Sequence, residues 1–217
     1  IVAVIGAVLI LGGLFSRQTK TEQSSDGDPP LAASPPVVEL QNGDSYDLVA
    51  GFAQKEIGGK TYRMLAYNGS IPGPLFKVPQ GAEVTVNFTN ATNMKTLLHS
   101  HGVRMDNPFD GSQTTQKEME PGETFVYKLK FPDAGVYWYH PHVREDYEQE
   151  LGLYGNFLVV PSDKTYWNPV NREIPLFLDH ILIEEGQIRL DKDGADRTLM
   201  GRYGNVFLVN GEENYAF

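Results

Sequence analysis

Residues 125–140 read FVYKLKFPDAGVYWYH. Phe125, Tyr127, Leu129 and Phe131 alternate with Val126, Lys128 and Lys130, a period of two that predicts a half-buried strand. The turn signal Asp133-Ala134-Gly135 follows, then Val136 to His140, VYWYH, whose β-branched and aromatic residues predict a second strand. Upstream, Val84, Val86 and Phe88 alternate with Glu83, Thr85 and Asn87. Downstream, Leu153 to Val160 reads as a buried strand, Ile174 to Leu178 as another, and Asn205 to Asn210 as the start of a further one. Asn68-Gly69, Pro72-Gly73-Pro74, Gln80-Gly81 and Pro121-Gly122 punctuate these runs. Only Val143 to Leu151, VREDYEQEL, reads as a short helix. Many short strands at regular spacing predict an all-β Greek-key sandwich or barrel.

The flanks differ in kind. Residues 1–15, IVAVIGAVLILGGLF, are wholly apolar or Gly, yet fall short of the roughly 20 residues that span a bilayer. They are expected to be the remnant of a signal peptide or membrane anchor, with further chain upstream because the sequence opens on Ile. Residues 16–40 are largely polar and Ser/Pro-rich and are expected to form a flexible linker. Such a leader implies an extracytoplasmic protein, secreted or membrane-anchored. The charge is −10, from 18 Lys+Arg against 28 Asp+Glu, which argues against a nucleic-acid partner and against attraction to anionic headgroups. With no Cys, the chain itself has no disulfide, Cys nucleophile, iron–sulfur cluster or thiolate-bound metal.

Four of the five histidines form two His-x-His pairs, His99-Ser100-His101 and His140-Pro141-His142. In a strand, residues i and i+2 share a face about 6.5–7 Å apart, so each pair can present two imidazoles side by side. Neutral imidazole is the commonest ligand for zinc, copper, iron and nickel. Without Cys or clustered carboxylates, the set suits copper or zinc, and four paired histidines suit a multinuclear site better than one mononuclear zinc. The fifth, His180, stands alone on an apolar strand and is expected to be structural. Glu145 and Asp146 could tune such a site, but are expected to favour the start of the predicted helix through its positive end. The sequons at Asn68, Asn87 and Asn90 carry little weight, because such triplets are frequent by chance.

These residues carry a resemblance. His99-Ser100-His101-Gly102, Phe109-Asp110-Gly111, Pro121-Gly122-Glu123, Gly135 to His142 (GVYWYHPH) and Gly152-Leu153-Tyr154-Gly155 closely resemble the first cupredoxin domain of multicopper oxidases. Tyr67 to Pro74, YNGSIPGP, looks like the entry segment of that domain, and Phe207 to Gly211 like the opening of a second. The resemblance implies a first cupredoxin domain over residues 41–165. It implies a linker and the truncated start of a second cupredoxin domain over 166–217. It further implies a laccase-like enzyme in which a type 1 copper takes electrons from a phenol-like substrate or a metal ion. A trinuclear cluster of one type 2 and two type 3 coppers, held by eight histidines, then reduces O2 to water. Carried over, His99 would bind the type 2 copper, and His101, His140 and His142 the type 3 pair. The other four histidines and the type 1 site would come from a C-terminal cupredoxin domain. Trp commonly stands where this chain has Ser100, a spacer that is no ligand. Asp110 resembles the carboxylate that relays protons to the cluster; the plainer reading is a turn residue before Gly111. The alternatives are an exported copper- or zinc-binding module without catalysis, and a relative of copper nitrite reductase, whose first domain carries a Cys that is absent here.

Overall fold

The computed structural model describes residues 27–190, 201 and 203–216. The apolar stretch 1–15 and residues 16–26 of the expected linker lie outside the described residues. No helix among the described residues is long and apolar enough to cross a membrane.

Two sheets form the sandwich. The first joins β2 (Ser45–Ile57), β3 (Lys60–Tyr67), β5 (Glu83–Asn90) and β7 (Thr124–Lys130) in the order β3-β2-β5-β7. The second joins β1 (Val37–Glu39), β4 (Leu75–Pro79), β6 (His99–His101), β8 (Gly135–His140) and β9 (Gly155–Val160) in the order β1-β4-β9-β8-β6. Parallel pairs, β2 with β5 and β4 with β9, sit among antiparallel ones, as long crossovers between the two sheets require. This is the all-β Greek-key sandwich that the strand spacing predicts, and it agrees with the cupredoxin-like fold that the resemblance implies.

Period-two patterning does the sorting. In β5, Val84, Val86 and Phe88 are buried while the residues between them are half-exposed or exposed. In β7, Tyr127 and Leu129 point inward and Val126 is 46% exposed. Between the sheets, Phe76, Tyr139 and Phe157 pack with ring centroids 5.0–5.7 Å apart, and Tyr67 lies 5.2 Å from Tyr139. Full burial of one such ring contributes on the order of 2–3 kcal/mol. Tyr139 also donates its hydroxyl proton to the Pro74 carbonyl at 2.7 Å. The ring fits only because glycines flank it: a Cβ on Gly155 would lie 2.3 Å from Tyr139 Cζ, and one on Gly73 2.8 Å from its hydroxyl oxygen. The Pro72-Gly73-Pro74 and Gly152 to Gly155 motifs thus meet around one tyrosine, and this fixes β8 against β4 and β9.

Three boundaries differ from expectation. The last ten residues of the expected linker are docked: Val37–Glu39 pairs with β4, and bridges join Leu31 to Gln54 and Ala33 to Ser70. Backbone hydrogen bonding to sheet edges outweighs the polar, Pro-rich composition there. The helix predicted over 143–151 shrinks to α1 (Glu145–Glu148), because Arg144 adopts a left-handed conformation, φ 49°, that breaks the helix from His142. The strand predicted over 174–178 begins instead at Leu178, as β10 (Leu178–Ile181), since Phe177 stacks on Tyr154 at 4.5 Å. β10 pairs with β13 (Val206–Val209), while β11 (Ile183–Glu184) and β12 (Gln187–Ile188) make a small hairpin beside them.

Candidate metal centre

The histidines meet at one edge of the second sheet. β6 is its edge strand and pairs antiparallel with β8, so that His99 faces His140, Ser100 faces Tyr139 and His101 faces Trp138. Tyr139 and Ser100 point into the core, where both are buried. The alternation therefore sends His99, His101, Trp138 and His140 to the outer face. His142, just past the end of β8, completes the group.

The four rings are close together. Centroids lie 5.5 Å apart for His99 and His101, 5.3 Å for His99 and His140, 4.7 Å for His99 and His142, and 5.4 Å for His101 and His140. One nitrogen from each of His99, His101 and His140 falls within 4.8 Å of the other two. Trp138 stacks on His140 at 4.0 Å and lies 5.0 Å from His101, which walls one side of the site.

Hydrogen bonds choose the free nitrogen on three of the rings. His99 Nδ1 lies 2.6 Å from the Asp110 carbonyl oxygen, and His140 Nδ1 lies 2.7 Å from the Pro141 carbonyl oxygen. His142 Nδ1 lies 2.7 Å from a carboxylate oxygen of Glu145. Each Nδ1–H thus donates to an oxygen, and each Nε2 is left as a lone-pair donor for a metal. His101 Nδ1 lies 3.2 Å from His140 Nε2, so these two nitrogens converge on one point. Burial pushes the His140 pKa down to about 4, helped by His99, His142 and His101 and opposed by the Pro141 carbonyl. His140 is accordingly neutral at physiological pH, the form that binds metal. Neutral imidazoles with outward N–H groups tied back fit copper, which accepts all-nitrogen ligand sets.

Asp110 sits beside this cluster. It ends the 3-10 turn Asn107–Phe109, and its carboxylate Oδ1 lies 3.7 Å from His99 Nδ1. The residue is therefore both the turn residue of the plainer reading and a neighbour of the site. Glu145 and Asp146 stand in the first turn of α1, where the helix-start reading puts them; in addition the Glu145 carboxylate meets His142, and Asp146 pairs with Arg144. Sequence spacing offered a signal for Glu145, since i and i+3 meet where the chain turns helically, and for Trp138, which is two residues before His140 on the same strand face. His180 lies apart from the site and accepts the Gly204 N–H at Nδ1, a structural role. Asn68 Oδ1 accepts the Val49 N–H, Asn87 bonds Ser45 and Asp47, and Asn90 is buried.

One buried acid was not legible in advance. Glu148 is wholly buried; Thr96 donates its hydroxyl proton to Oε2 at 2.6 Å, while Oε1 is buried with no hydrogen-bond partner among the described residues. Burial pushes its pKa up to about 8, against the Thr96 bond and Arg144. The folded protein therefore holds a proton that the unfolded chain releases near pH 4.5. Stability from this group is complete below pH 4.5 and declines as pH rises to about 8. A shift of that size corresponds to at most on the order of 5 kcal/mol. Glu148→Gln should flatten this slope and leave the variant more stable than the parent above pH 8. Denaturant melts from pH 5 to 9 check this, and an unchanged slope would show that Glu148 is ionised in the fold.

Fold and donor set define the class: a cupredoxin-like domain with a histidine-rich sheet edge. The sequence model of the family described as multicopper oxidase matches residues 52–164. Multicopper oxidase MmcO of Mycobacterium tuberculosis is 35% identical over 127 residues, covering 58% of this chain and 24% of that protein. Laccase-14 of Arabidopsis thaliana is 31% identical over 168 residues, covering 72% of this chain and 28% of its own length. The crystal structure of a multi-copper oxidase from Pseudomonas thermotolerans superposes with a TM-score of 0.71 at 28% identity, over 80% of this chain and 42% of that one. The chain belongs to the multicopper oxidase family, whose cofactor is copper. It spans about a quarter of the length of the curated relatives it matches.

Proposed function

We propose that His99, His101, His140 and His142 supply half of the ligands of a trinuclear copper cluster, His99 to the type 2 ion and the others to the type 3 pair. The whole protein then couples one-electron oxidation of a phenol-like substrate or a metal ion to the four-electron reduction of O2 to water. Cupredoxin domains beyond this chain complete the cluster and carry the type 1 copper. Copper, when bound, supplies several one-electron centres close enough together for oxygen to be fully reduced. The chain's residues do the rest. His99, His140 and His142 are held with Nε2 free, Trp138 shields two of the rings, and Asp110 passes protons from solvent toward His99. The observation that carries this reading is the convergence of three imidazole nitrogens within 4.8 Å at the β6–β8 edge. Extracytoplasmic placement and anchoring through residues 1–15 belong to the same proposal and rest on the apolar character of that stretch.

Replacing His101 or His140 with Ala in the whole oxidase should deplete the cluster and abolish most oxygen uptake. The type 1 copper, held by another domain, should remain. Copper quantitation, visible absorbance and oxygen uptake test this together. Full copper occupancy with undiminished uptake would sink the ligand assignment. Copper binding without any oxygen uptake by the unmodified whole protein would favour a non-catalytic binding module.

A further inference from the structure

The four histidines are not held alike. His99 and His140 give their Nδ1–H groups to backbone carbonyls, of Asp110 and Pro141. His142 instead holds a carboxylate at hydrogen-bond distance, Glu145 Oε1 at 2.7 Å, whereas the Asp110 carboxylate stands 3.7 Å from His99 Nδ1. We propose that Glu145 is a positioning residue for His142: it fixes the imidazole in the Nδ1–H tautomer and aims Nε2 at the metal. The inference rests on the reading of His142 as a copper ligand and extends it to a residue outside the ligand set.

Stability does not account for the contact. His142 and Glu145 are 36% and 48% exposed, and a pair so solvated contributes about 0–1 kcal/mol to folding. Helix initiation does not require the contact either, because α1 is a single four-residue turn that also carries Asp146, paired with Arg144, and the buried Glu148. The geometry is instead that of a carboxylate–histidine–metal arrangement, in which the outer carboxylate orients the ring and raises its donor strength. The backbone makes the reach possible. Arg144 at φ 49° reverses the chain directly after the second His pair, and this brings Glu145 back onto the ring three residues upstream. A carbonyl is a weaker acceptor than a carboxylate, so His142 would be a stronger donor to a bound ion than His99 or His140.

The first test needs no copper. In 15N-histidine-labelled apoprotein, the imidazole nitrogen shifts of His142 should report Nδ1 protonated and Nε2 bare. Glu145→Ala should move this ring toward the Nε2–H tautomer favoured in water, while Glu145→Gln, which keeps an acceptor oxygen, should hold the original one. In the whole oxidase, Glu145→Ala should weaken copper retention against a chelator by about 10–100-fold. Asp146→Ala, in the same turn, should leave both readouts unchanged. A Glu145→Ala protein with the parental tautomer and parental copper retention would overturn the inference, as would an Asp146→Ala protein that lost both equally. His142→Ala separates the two levels: if it keeps all its copper, the ligand reading itself fails. If it loses copper while Glu145→Ala does not, only the positioning role fails.

Discussion

In the whole oxidase, Asp110→Asn should slow oxygen reduction by about 10²–10⁴-fold while copper content stays full, the usual loss when one general acid or base is removed. Two parts of Asp110 face the site and they separate cleanly. Its carbonyl oxygen, 2.6 Å from His99 Nδ1, is backbone and survives any substitution, so His99 stays in place. Its carboxylate lies 3.7 Å from the same nitrogen and is 35% exposed, touching both the cluster edge and solvent. Reduction of O2 to two waters consumes four protons along with four electrons, and a half-exposed acid at that edge is suited to deliver them. Asn preserves shape and turn preference but cannot exchange a proton at neutral pH. Oxygen uptake measured across pH, together with copper quantitation, checks this; turnover equal to the parent at every pH would leave Asp110 a turn residue only.

The next residue carries the second large effect. Gly111 has φ 74°, and a Cβ there would lie 1.8 Å from the Leu98 carbonyl oxygen and 2.5 Å from the Leu98 carbonyl carbon. The obstacle is backbone, in the segment that leads directly into His99, so it cannot swing aside as a side chain would. Gly111→Ala should therefore cost on the order of 3 kcal/mol or more and lower the unfolding midpoint by roughly 10 °C. Gly122 is the control: its φ is 85°, yet a Cβ there meets nothing within 4 Å. Gly122→Ala should show the φ penalty alone, on the order of 1 kcal/mol. Thermal melts of the two variants compare the effects, and equal losses would mean that the close approach to Leu98 is not what Gly111 protects.

What could be read from the sequence follows from the range of the forces involved. The alternation in β5 and β7 is a local record of a half-buried surface, so Val84, Val86, Phe88, Tyr127 and Leu129 were legible as core. β1 was not: three residues in a Ser/Pro-rich run become a strand only because β4 offers them a free parallel edge. The helix over 143–151 was overextended because nothing local announces that Arg144 will turn left-handed. In the site, the i, i+2 spacing placed each histidine pair on one strand face, and β6 against β8 then brought the pairs together. Asp110 came through resemblance to relatives, since a carbonyl contact to a residue eleven positions away leaves no trace in composition. The Thr96–Glu148 bond joins residues fifty-two apart and had no signal at all.

The strand order β1-β4-β9-β8-β6 has a consequence for the order in which the molecule assembles. β9 is the last of these five strands in the chain, yet it is the one that joins β4, eighty residues earlier, to β8. Until the ribosome has released Val160, the two halves of that sheet share no partner. Closure of so long a loop is slow, because its entropic cost precedes any contact that offsets it. A nascent chain can carry all four histidines and still lack the framework that aligns them. The β6–β8 pair that carries the histidines is thus complete in the chain before the strand that anchors it to β4 has been made.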